Sequence, residues 1–112
     1  MRAALVALVL VGCGWAKRAE VSGRYEGRGD GGPVVLTLTD DGWYSWAIPR
    51  QPHQELRLGH WSRTRDGVKI KNGPKLELAT CGDRVALVPT KSSEDVPEMP
   101  PGCDAGERGF VK

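Results

Sequence analysis

From residue 21 onward the apolar side chains of this chain recur at every second position, and Gly, Asp, Asn and Pro interrupt the pattern about every ten residues. A period of two belongs to half-buried strands. It leaves no room for the amphipathic helix, whose apolar positions recur at 3.6. "PVVLTLT" (33–39) puts Val34, Leu36 and Leu38 on one face and Val35, Thr37 and Thr39 on the other. "DDG" (40–42) reads as a hairpin turn, with Gly42 supplying the positive φ that tight connections demand. "WYSWAI" (43–48) then returns with Tyr44, Trp46 and Ile48 inward and Trp43 outward.

The pattern continues through the chain. "VSGRYEG" (21–27) is a first strand, and "QELRLGHWSRT" (54–64) aligns Leu56 and Leu58 toward the core. In that strand Gly59 is expected to form a bulge that shifts Trp61 inward as well. "GVKIK" (67–71) carries Val68 and Ile70, "KLELA" (75–79) carries Leu76 and Leu78, and "RVALV" (84–88) carries Val85 and Leu87. Residues 89–102, "PTKSSEDVPEMPPG", have too many prolines and charges for regular pairing and read as an irregular loop. "RGFVK" (108–112) offers a closing edge strand anchored by Phe110. The expected fold is all-β, a small antiparallel meander of about seven to eight strands that curls into a barrel or sandwich.

Length and charge narrow the classes further. At 112 residues there is room for one small β domain, residues 21–112, with a core thin enough to benefit from covalent fastening. Sixteen basic residues against 14 acidic ones leave the chain near neutral, so nucleic acid is not the expected partner.

The first 20 residues follow a different logic. Arg2 precedes an unbroken apolar run at 3–11, about half the roughly 20 residues a bilayer-spanning helix needs. That layout is an export signal, to be set aside from the fold. Its end, Leu10-Val11-Gly12-Cys13, resembles the lipobox of bacterial lipoproteins. The alternative is an ordinary secretory signal cut near Ala16. The resemblance implies a signal peptide at 1–12, cleavage before Cys13, a diacylglycerol on its sulfur, and a lipidated tether at 13–20. More than one acyl chain makes a firm anchor, since each buried methylene contributes about 0.8 kcal/mol. Gly14, rather than an aspartate after the lipidated cysteine, resembles an outer-membrane address.

With Cys13 committed to lipid, Cys81 and Cys103 remain, and in an oxidising compartment an even remainder pairs as a disulfide. A metal or redox pair is the weaker reading, because the chain has no Cys-x-x-Cys and neither His53 nor His60 stands at ligand spacing. No metal and no cofactor is expected.

"GRYEG" (23–27), "LTLTDDGWYSW" (36–46), "GHWSRT" (59–64) and "GVKIK" together are similar to small lipocalin-like bacterial lipoprotein domains. The copper-resistance and envelope-stress lipoproteins belong to that group. The similarity covers roughly residues 21–88 and implies a lipocalin-like barrel. The Cys-x-x-Cys of the copper-resistance members is missing, so metal handling is not carried over.

Candidate sites are few. Arg28-Gly29-Asp30 is read as hairpin loop, and the stretch lacks the Gly-Lys-Ser/Thr ending of a phosphate loop. Trp15 falls in the tether, Trp46 and Trp61 in the core, and Trp43 on the outer face beside a turn, where it is the candidate contact residue. No serine has a nucleophile's setting, Asp40 and Asp41 point apart on a turn, and His60 is expected at the surface, so an enzyme is not expected. Two functions remain. One is a lipid-anchored envelope module that binds another envelope protein or a small apolar ligand in its barrel. The other is a hydrolase inhibitor that uses the 89–102 loop. An empty barrel favours the first, and a filled core with a protruding ordered loop favours the second.

Overall fold

The computed structural model describes residues 21–50, 52–91 and 93–112, so the expected signal peptide at 1–12, the expected tether at 13–20, Cys13 and Trp15 lie outside the described residues. Eight antiparallel strands follow one another around a closed barrel: β1 (Gly23–Gly29), β2 (Gly32–Leu38), β3 (Trp43–Ile48), β4 (Glu55–Arg63), β5 (Gly67–Ile70), β6 (Lys75–Cys81), β7 (Arg84–Pro89) and β8 (Phe110–Val111). β8 pairs with both β7 and β1, which closes the sheet and removes its edges. An eight-stranded barrel is narrow enough for its own side chains to fill. Here Tyr25, Leu36, Leu38, Trp46, Val68, Ile70, Leu76, Leu87 and Phe110 do so, each 0–1% exposed.

The alternation seen in the sequence sets the inward face of β2, β3 and β5. Val34, Leu36 and Leu38, then Tyr44, Trp46 and Ile48, then Val68 and Ile70 are all buried. Gly42 has φ 96°, and the Thr39 amide donates to the Trp43 carbonyl across the Asp40-Asp41-Gly42 connection. The Arg28-Gly29-Asp30 stretch is not a loose loop. β1 and β2 pair as far as Gly29 opposite Gly32, leaving only Asp30 and Gly31 in the turn.

β4 departs from expectation. Its register with β3 is unbroken, with His60 opposite Trp43, Gly59 opposite Tyr44 and Leu58 opposite Ser45. There is no bulge at Gly59. Buried Trp61 fixes the phase of the strand, so Gly59 and Arg57 also face inward and Leu56 and Leu58 face out. Gly59 fits because the Tyr44 ring lies over it, and a Cβ there would stand 2.8 Å from Tyr44 Cε2. Arg57 is accommodated at the barrel end by setting its guanidinium 5.3 Å from the Trp46 ring centroid.

The 89–102 segment is folded onto the barrel. Val96 is fully buried within the barrel core, and Pro97 and Met99 are buried with it. Glu98 forms backbone bridges to Arg28 on one side and Arg108 on the other, so the segment fills a gap in the closure between β1 and the approach to β8. Gly27 makes this possible, since a Cβ there would come 2.3 Å from Pro97 Cγ. Beyond it, Cys81 and Cys103 form a disulfide with their Cα atoms 5.3 Å apart. The bond sits in a second apolar cluster outside the barrel, where Ala86, Met99 and Val111 are buried among Ala79, Val88 and Ala105. β7 is therefore covered on both faces, with Leu87 against the core and Ala86 beneath the C-terminal segment.

Tyr25 couples the barrel to pH at the alkaline end. The Tyr25 hydroxyl donates to the Val21 carbonyl at 2.5 Å, and burial pushes the phenol up to about 12 while the Arg63 charge pulls the other way. An unfolded tyrosine ionises near 10, so the folded state holds its proton longer. The associated stability is complete below about pH 10 and is lost as pH rises toward 12, a change of about 3 kcal/mol. Urea melts across that range should show a fall in the wild type that is much shallower in Tyr25→Phe. Equal slopes in the two proteins would sink this assignment.

Candidate interaction surface

Residues that pair across neighbouring strands share a face, so the registers map the barrel's outside row by row. One row runs Val35, Ala47, Leu56, and the next runs Thr37, Ser45, Leu58. Trp43 and His60 form a third row, and the Lys71 amide donates to the His60 carbonyl, bringing Lys71 alongside. Ser62 then stands opposite Lys69, and Lys69 opposite Lys75. Trp43, Leu56 and Leu58 are 50%, 59% and 67% exposed, and they lie on two adjacent strands rather than scattered over the molecule. Trp43 is held in place by the His60 ring, with centroids 3.8 Å apart and planes tilted by 37°.

The sequence therefore located Trp43 on the outer face but placed Leu56 and Leu58 on the wrong side of β4. The inversion adds two large apolar groups to the surface that Trp43 begins. The outward positions of β2 to β5 carry no carboxylate among the described residues. Carboxylates begin on the flanking strands, at Glu26 of β1 and Glu77 of β6, and in the Asp40-Asp41 turn.

At the foot of this face, His60, Trp61, Ser62, Lys69, Lys71 and Asn72 line a cleft of about 340 Å³. Trp61 forms its buried wall, with the indole nitrogen donating to the Thr39 carbonyl at 2.8 Å. The remaining groups are two ammonium groups, an imidazole, a hydroxyl and a carboxamide. This cleft is not legible in the sequence, because its members come from two strands and a turn and meet only through the β4–β5 register.

A larger cleft of about 660 Å³ lies at the opposite end of β3, between the β1–β2 turn, Ile48 to Arg50 and the 94–98 segment. Its rim mixes both signs of charge, and two of its members, Arg50 and Asp95, are tied into an ion-pair network with Glu55 and Arg57. Glu55 accepts from Arg57 and pairs with Arg50 at 2.8 Å, and Arg57 reaches Asp95 at 3.7 Å. The hydrogen bond from Arg57 holds the Glu55 carboxyl below the usual carboxylate range, with the charges of Arg57 and Arg50 reinforcing it against desolvation. This network ties the 94–98 segment over the inward-facing start of β4 and reads as the seal of the barrel.

Cys81 and Cys103 meet in the disulfide their count suggested, and Cys13 lies outside the described residues. No protein-family model matches the chain, and neither a curated protein nor a solved structure shows significant similarity to it.

Proposed function

We propose that this chain is a lipid-anchored contact module of a bacterial cell envelope. It would be held by acylation of Cys13 at the outer membrane, facing the periplasm, and would meet its partner through the outer face of β2 to β4. The observation that carries this reading is a filled barrel whose exposed large apolar side chains share one outer face. Trp46, Tyr25 and Phe110 occupy the interior that a small apolar ligand would need, while Trp43, Leu56 and Leu58 are presented together to solvent. Exposed large apolar side chains gathered on one face of a small domain mark a surface that meets something. The lipobox-like Leu10-Val11-Gly12-Cys13 supports the anchor. The burial of Val96, Pro97 and Met99 weighs against the 89–102 segment as a hydrolase-inhibiting loop, since the residues that would dock are committed to the barrel.

The test is membrane fractionation of the native chain and Cys13→Ser, with a photo-crosslinking residue at position 58 or, as control, 77. The native protein should sediment with membranes, carry diacylglycerol on its N-terminal peptide, and give adducts from position 58 only. Cys13→Ser should be released or remain unprocessed. Mature, membrane-free protein with an unmodified Cys13 would overturn the anchor. Equal adducts from 58 and 77 would overturn the contact face.

A further inference from the structure

The chain enters the barrel at the same end that carries the basic cleft. Val21 is buried and accepts the Tyr25 hydroxyl, and Gly23 pairs with Leu38, which pairs in turn with Tyr44, opposite Gly59. The entry point is therefore one residue along the sheet from the Trp43–His60 row. If Cys13 is held in a bilayer, the eight residues 13–20 reach at most about 28 Å when extended. That tether keeps this end of the barrel close to the lipid headgroups and gives it a high effective concentration there.

The chemistry at that end suits such a neighbour. Every polar group lining the 340 Å³ cleft apart from the Trp61 wall, namely His60, Ser62, Lys69, Lys71 and Asn72, offers a hydrogen-bond donor, and none is a carboxylate. Next to it stand an indole half exposed and, one row up, a leucine two-thirds exposed. Indole is favoured at the headgroup level, aliphatic groups just below it, and lysines are drawn to an anionic leaflet. A protein partner would be expected to answer the apolar band. It would not explain why the band ends in a donor-lined cleft at the tethered end.

We propose that the outer face of β3 to β5 docks on an anionic phospholipid surface, with the His60–Ser62–Lys69–Lys71 cleft taking a headgroup phosphate and Trp43 and Leu58 entering the interface. This rests on the anchor reading above. The barrel then lies against the membrane as a second, reversible attachment beside the covalent one, and its hold weakens as salt rises.

The experiment uses the lipidated full chain reconstituted on vesicles whose acyl chains are brominated near the headgroup. One set is phosphatidylcholine alone and the other contains phosphatidylglycerol. The Trp43→Phe difference isolates the Trp43 fluorescence from Trp15, Trp46 and Trp61. Trp43 should be quenched at least twofold on the anionic vesicles, little on the zwitterionic ones, and little in Lys69→Glu/Lys71→Glu on either. Each lysine is expected to change the docking equilibrium about fivefold. Circular dichroism of the double variant checks that both exposed substitutions leave the barrel intact. Protein retained on both vesicles with Trp43 unquenched overturns the docking alone. Mature full chain isolated with no lipid on Cys13 overturns the anchor, and the docking with it. Inorganic phosphate that shifts the Lys69 and Lys71 resonances in detergent, with no vesicle quenching, makes the cleft a soluble-anion site and overturns the proposal. A dimer in sedimentation that shields Trp43 gives the face to a second copy and does the same.

Discussion

Replacing Phe110 with alanine is expected to destabilise the protein by about 3–5 kcal/mol, a large fraction of what a domain this small has to lose. Phe110 is fully buried and meets Trp46 edge-on, with ring centroids 5.6 Å apart and planes at 80°. Its removal leaves a void against the Trp46 ring in the barrel interior. The damage is also topological. β8 comprises only Phe110 and Val111, yet it supplies the pairing on both sides that closes β7 to β1. Without the ring to hold it, β8 has two residues' worth of ladder to resist fraying. Denaturant melts should show a lower midpoint, and hydrogen exchange should accelerate at Glu26 and Leu87 on the strands that β8 bridges. A loss under about 1 kcal/mol would mean that β8 is held mainly from outside, by the cluster around Met99.

Reducing the disulfide, or replacing Cys103 with serine, is expected to cost about 3 kcal/mol in the chain-entropy account, given a sequence separation of 22. The structural consequence should be local. Val96 and Phe110 are each rooted in the barrel core, so the segment between them is fixed at both ends. What the bond adds is the seating of residues 99–106 over the outer face of β6 and β7, where Ala86, Met99 and Val111 form a small cluster of their own. Four prolines in 89–102 supply no amide hydrogens, and the cluster is too thin to order the segment unaided. Limited proteolysis read by intact mass should therefore show new cleavage between Pro100 and Gly106 under reductant, with the barrel strands uncut. Equal resistance with and without reductant, or free thiols in protein taken from cells, would show that the bond does not fasten this segment.

Strand positions were legible because burial imposes a period of two, and the turns carry residues whose backbone preferences are visible one at a time. Val34, Leu36, Leu38, Tyr44, Trp46 and Ile48 could be assigned a side from spacing alone. β4 could not. It holds two competing apolar sets of opposite phase, Leu56 and Leu58 against Trp61, and hydrophobicity does not say which set yields. Packing does: Tyr44 needs the space that Gly59 leaves, and that choice turns both leucines outward. The same limit hid the basic cleft. Lys69 and Lys71 look like ordinary solvated strand residues until the register sets them beside Ser62 and His60. The disulfide, by contrast, needed only a count, and Trp43 only its parity.

Closure by β8 has a consequence for how the barrel can form. Consecutive hairpins from β1 to β7 need only near neighbours in sequence, so they can assemble early and locally. The joint between β1 and β8 brings Glu26 to Val111, from opposite ends of the described chain. Until Phe110 and Val111 have arrived, β1 and β7 are unpaired sheet edges beside a partly uncovered core, open to pairing with any other strand. Synthesis runs in the other direction from the need, since the strand that protects the first edge is made last of the eight. A nascent chain of this kind passes through an adhesive stage, exposed to self-association until its last strand is in place.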